Sequence, residues 1–72
     1  MTKQKMIKIA EKGGFANTNG EWCLATSPKE FKKFIESKGF KVVKCVETAY
    51  STAIATTEDG YQFAYNGYCT KI

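Results

Sequence analysis

The chain has 72 residues, 43% of them hydrophobic and 25% charged, with a net charge of +4 carried by eleven lysines and no arginine against seven carboxylates. That length accommodates one hydrophobic core and no second domain, and an average globular composition argues against a disordered chain. No apolar run approaches the ~20 residues of a membrane span, and Lys8 interrupts the start of an apolar stretch at Met6-Ile7, unlike a secretion signal, so the expectation is a cytoplasmic protein.

In chain order, the first expected element is a helix over about residues 3–12. Met6, Ile7 and Ala10 give it a short apolar face, with Lys5, Lys8 and Lys12 opposite. Gly13 stops it and Phe15 folds back beyond the stop. The alternation of Ile7 and Ile9 also fits a strand, which is the rival reading. Asn19-Gly20 then marks a two-residue type I′ hairpin, which places Phe15 opposite Leu24 and Asn17 opposite Trp22.

The second helix, residues 28–38, carries the densest set of signals. Ser27-Pro28-Lys29-Glu30 is a capping box with proline at the first helical position. Phe31, Phe34 and Ile35 form its apolar stripe, Lys29, Lys32, Lys33 and Glu36 its wet face, and Gly39 its left-handed exit.

A strand over Val42–Glu47 follows, opened by Phe40-Lys41 and ended by a turn around Thr48–Tyr50. Asp59-Gly60 and Asn66-Gly67 predict two more I′ hairpins. Two-residue loops there put Ile54, Thr56, Tyr61, Phe63, Tyr65, Tyr68 and Ile72 on one face, and Ala53, Ala55, Thr57, Gln62, Ala64, Cys69 and Lys71 on the other. A three-residue loop over Glu58-Asp59-Gly60 would shift the parity of the strand before it by one and move half of these residues across. The expected architecture is α+β: two helices on one face of an antiparallel sheet of five to six strands, in the order α-β-β-α-β-β-β with an optional last strand.

The chemistry-bearing residues exclude more than they include. There is no histidine, no nucleophile elbow and no phosphate loop, and Glu58-Asp59 falls in a hairpin turn, where aspartate serves turn chemistry. Cys23, Cys45 and Cys69 are odd in number, widely spaced and lack a C-x-x-C pair, so they read as buried thiols and not as metal ligands or a disulfide framework, with a single disulfide between two of them as the open alternative. No catalytic residue, cofactor or metal is expected, and the chain reads as a binding protein.

Two kinds of side chain are candidates for that binding. Residues 1–46 hold ten lysines against four glutamates, a net of +6, whereas residues 47–72 hold one lysine against three carboxylates, a net of −2. Lys29, Lys32, Lys33, Lys41 and Lys44 make the front half a possible anion-facing surface, although lysines also simply solubilise helix faces. Trp22, Tyr50 and Tyr68 are the aromatic candidates for a protein interface. Tyr61, Phe63 and Tyr65 alternate as in base-stacking strands, yet Asp59 stands where a basic residue is needed, so their expected role is to pack on Phe31, Phe34 and Ile35.

The first expectation is therefore a small non-enzymatic regulator or inhibitor acting through protein–protein contacts, a style common among bacterial, phage and mobile-element proteins. A lysine-based nucleic-acid binder and a structural subunit of a larger assembly are the alternatives.

Overall fold

The computed structural model describes residues 2–16, 27–47 and 53–72. The expected hairpin at Asn19-Gly20, its partners Trp22 and Leu24, Cys23, and the turn around Thr48–Tyr50 lie outside the described residues.

Helix α1 spans Lys3–Lys12 and settles the helix-or-strand ambiguity. Its start is an N-cap that the sequence reading missed: Thr2 Oγ1 accepts the Lys5 N–H at 3.3 Å. Gly13, at φ +73°, closes the other end by donating to the carbonyls of Ile9 and Ala10. Met6 and Ala10 are buried, with Ile7 and Ile9 packed beside them.

Helix α2 spans Pro28–Ser37, and Ser27 Oγ accepts the Glu30 N–H at 3.3 Å as the capping box requires. Phe31 and Ile35 are fully buried and Phe34 lies partly exposed beside them.

The strands are β1 (Gly14–Phe15), β2 (Val42–Glu47), β3 (Ala53–Thr57), β4 (Tyr61–Ala64) and β5 (Tyr68–Lys71). They form one antiparallel sheet in the order β1-β5-β4-β3-β2. The fold is thus α+β, with α1 packed chiefly on β5 and β4 and α2 on β2 and β3. Both helices cover the same side of the sheet, because the residues they meet share one strand parity.

The two C-terminal hairpins correct the expected register. Both loops have three residues: the Gly60 N–H donates to Thr57 O at 3.1 Å and the Gly67 N–H to Ala64 O at 2.9 Å, with the glycines at φ +91° and +99°. Across β3, β4 and β5, Ala55 therefore faces Phe63, and Phe63 faces Cys69. The expected pairs were Thr56 with Phe63 and Tyr65 with Tyr68.

The physical reason is that a type I′ loop needs positive φ at both central residues, whereas this loop confines the left-handed position to glycine. Parity changes as the three-residue alternative at Glu58–Gly60 implies. Ala53, Ala55 and Thr57 join Phe63 under the helices, while Ile54, Thr56 and Tyr68 turn away from them.

Packing explains why small residues belong inside. The helices and the segment after α2 already supply Met6, Phe31, Ile35 and Phe40. Beneath them Ala53, Ala55 and Cys69 leave room for a single large ring, Phe63, whose centroid lies 4.9 Å from that of Phe40. Tyr61 and Tyr65 extend this aromatic layer, against Phe40 and Phe31 respectively, as expected for rings in the core. Thr57, the one buried polar side chain among the described residues, accepts the Tyr61 N–H on Oγ1 at 3.1 Å, so it is not left unsatisfied.

Lys3 ties three elements together. Its Nζ donates to Gly39 O at 3.1 Å, lies 5.1 Å from the centre of the Phe40 ring and 3.9 Å from an Asp59 oxygen. It thereby joins the start of α1, the exit of α2 and the β3–β4 turn.

Candidate functional site

The side of the sheet away from the helices is the most distinctive surface of the molecule. Strand alternation places Phe15 of β1, Tyr68 and Thr70 of β5, Gln62 and Ala64 of β4, Ile54 and Thr56 of β3, and Lys44 and Val46 of β2 on it. Lys44 is the only charged residue among them.

Phe15 and Tyr68 pair across β1 and β5 and meet edge to face at 5.2 Å, yet remain 62% and 40% exposed. Val46 is 40% exposed, and Val43, at the irregularity that offsets β2 from β3 between Val42 and Lys44, is 57% exposed. With Ile72, these are the exposed large hydrophobics among the described residues. They collect on this face or at its borders.

The face has relief. Ile54, Gln62, Ala64, Tyr68 and Thr70 line a hollow of about 210 Å³. Ala64, paired with Ile54 across β3 and β4, is the smallest of these side chains. The Gln62 side-chain amide donates to Thr56 Oγ1 at 3.3 Å, which holds it along the sheet.

The lysine candidates divide between surfaces. Lys29, Lys32 and Lys33 are exposed together on the first two turns of α2, at spacings of three and four residues. Lys41 pairs with Glu58 at 3.5 Å, both exposed. Lys38 lies over the Phe34 ring at 5.2 Å. Lys44 points from the opposite side of the sheet, so the lysine run of residues 29–44 is not one continuous basic surface. Of the aromatic candidates, Tyr68 is partly exposed on the sheet face; Trp22 and Tyr50 lie outside the described residues. Sequence reasoning did not single out Phe15, Val43, Val46, Ile54 and Ala64: the assumed two-residue loops put Ala64 on the wrong face and Ile54 among the core rings, and no local signal marks the other three.

A wider groove of about 490 Å³ runs beside α1, with Lys8, Ile9, Glu11 and Lys12 along it. These residues all belong to one helix, and no group of three His, Cys, Asp or Glu side chains among the described residues is placed to hold a metal. Nor is any helix among them long and apolar enough to cross a membrane.

The thiols at Cys45 and Cys69 are free and suppressed as nucleophiles. Burial raises the pKa of Cys45, an effect that neighbouring Lys32 partly offsets, and its thiol donates to Pro28 O at 3.3 Å. Burial pushes Cys69 up to about 11, against a smaller lowering by the backbone of Ala16. The folded state therefore holds the Cys69 proton more tightly than the unfolded one. That contribution to stability is fully present below pH 9.0 and lost as pH rises towards about 11. Urea unfolding midpoints should fall over this window more steeply in the wild type than in Cys69→Ala; parallel curves would contradict the assignment.

Compared with known proteins, the chain matches no family model, no curated protein and no solved structure.

Proposed function

We propose that this chain is a non-enzymatic binding protein, a regulator or inhibitor that docks a partner protein on the open face of its sheet. The observation that carries the reading is the segregation of surface character. Phe15, Tyr68 and Val46 stand exposed on a face that holds a single charge among the described residues, while Lys29, Lys32 and Lys33 project from α2 on the other side. An antiparallel sheet with one solvated face ordinarily alternates apolar-in with polar-out. Contiguous exposed apolar residues on that outer face mark an interaction surface.

Size and composition suit the stand-alone regulators of bacteria and phage, and free thiols at Cys45 and Cys69 support a reducing, cytoplasmic setting. A nucleic-acid reading has one specific observation behind it, the exposed lysine triplet of α2. Against it stand the exposed Glu30 and Glu36 on the same helix and the lack of arginine for base reading.

The two readings separate by variant capture from a bacterial lysate. Phe15→Ser with Tyr68→Lys should lose the bound protein, whereas Lys29→Glu with Lys32→Glu and Lys33→Glu should retain it at elevated salt. The reverse pattern, with binding that collapses between low and physiological salt, would favour nucleic acid. Wild-type protein that forms a concentration-dependent oligomer in light scattering and captures nothing would favour a structural subunit.

A further inference from the structure

The hollow beside Ala64 narrows the class of partner, on the reading that the open sheet face is the docking surface. At about 210 Å³ it falls short of the roughly 300–1,000 Å³ of small-molecule sites. It is the size of a single side chain. Its walls are the apolar parts of Ile54, Ala64 and Tyr68, together with Gln62 and Thr70, and the Gln62 amide is already engaged by Thr56. An entering group therefore meets mostly carbon.

Charge sets the second requirement. Lys44 is exposed on the same face, where it is the only charged residue among those described, and the chain as a whole is +4. A second copy of this chain is a poor occupant, because it brings the same positive charge and the same lysine. The described strands are also short: with strands ~4.8 Å apart and ~3.3 Å per residue they give a footprint of about 400 Å² in projection. A stable dimer needs about 800 Å² per partner. The face thus suits an anchored, transient contact with a different protein.

We infer that the Ala64 hollow is the anchor point of this docking face. It receives one apolar side chain, of leucine to phenylalanine size, from a partner segment that also presents a carboxylate to Lys44. Insertion of one well-packed apolar group at the centre of a patch, with a polar rim around it, is how interfaces concentrate their binding energy.

The test is an NMR titration of the 15N-labelled full chain with three blocked hexapeptides: Asp-Glu-Leu-Phe-Glu-Asp, the same peptide with Ala-Ala at its centre, and the same peptide with lysine in place of every acid. The first should shift the amides of Ile54, Ala64 and Tyr68 saturably, and the other two should bind at least about tenfold more weakly, a difference of ~1.4 kcal/mol. Ala64→Phe, which fills the hollow from the solvent side, should lose the response by a similar factor, and the smaller Ala64→Val provides a second filled variant.

No saturable shift at those amides, or an unchanged response in both filled variants, overturns the inference. Shifts across the sheet face from the first and third peptides alike, indifferent to residue 64, remove the anchor and the carboxylate while leaving the docking face. Shifts confined to Lys29, Lys32 and Lys33 remove both. A dimer of the wild type that Ala64→Phe dissolves would overturn the choice of partner in favour of a second copy.

Discussion

Replacing Phe63 with alanine should remove a large share of the chain's stability. The ring is fully buried in the middle of β4, with its centroid 4.9 Å from that of Phe40 and 6.5 Å from that of Tyr61. Its cross-strand neighbours are Ala55 and Cys69, too short to collapse into the space it vacates. A buried Phe→Ala substitution costs about 3–5 kcal/mol when the site cannot relax. A domain of this length has a total stability of only about 4–11 kcal/mol. Urea unfolding followed by circular dichroism should show the midpoint falling sharply or the folded baseline lost, with Phe63→Leu intermediate. A loss below about 1 kcal/mol would mean that Phe63 is not the centre of the core.

The second large effect is expected at Gly67. Its φ of +99° is unfavourable for any residue with a Cβ, and a Cβ built there would lie 3.4 Å from Ala16 O. That neighbour cannot easily give way, because the Ala16 N–H donates to Gly67 O at 2.7 Å and so helps to hold the two-residue β1 against β5. Gly67→Val should therefore cost about 1–3 kcal/mol from the backbone alone, and should also loosen Phe15 from Tyr68, altering their ring-current shifts. Gly60 is the control. It has a similar φ of +91°, but an added Cβ would meet nothing within 4 Å. Gly60→Val should show the backbone cost without disturbing Phe15; equal effects at both positions would contradict the role given to the Ala16 contact.

How much of this was legible in the sequence depended on whether a signal was local. Helix α2 was readable because Ser27, Pro28, Glu30 and Gly39 each act within a few residues of themselves. The α+β class followed from the same local signals, with glycine-stopped helices and Asx-Gly turns pointing together. Register was not readable, because Asp59-Gly60 and Asn66-Gly67 serve equally well as a two-residue loop or as the end of a three-residue one. The choice between them is made by the helices: Phe31, Ile35 and Met6 require alanine and cysteine beneath them, and that is a long-range demand. The candidate surface inherited the same uncertainty. Tyr68, singled out as an aromatic candidate, does stand exposed, with Ile54 and Thr56 on its face as the alternation implied, but Gln62 and Ala64 join them only once each loop is given its third residue. The lysine run looked continuous along the chain, and three-dimensional placement divides it between α2, a turn pair with Glu58 and the far side of the sheet.

In the proposed function, binding runs through the open sheet face and not through the lysines of α2. Photo-crosslinking tests it most directly, with benzoylphenylalanine placed at Tyr68 in one protein and at Lys33 in another, each irradiated in bacterial lysate. The expected result is a discrete protein adduct from position 68 that is lost when Ala64→Phe is added, and none from position 33. Protein or nucleic-acid adducts from position 33, with position 68 silent, would contradict it.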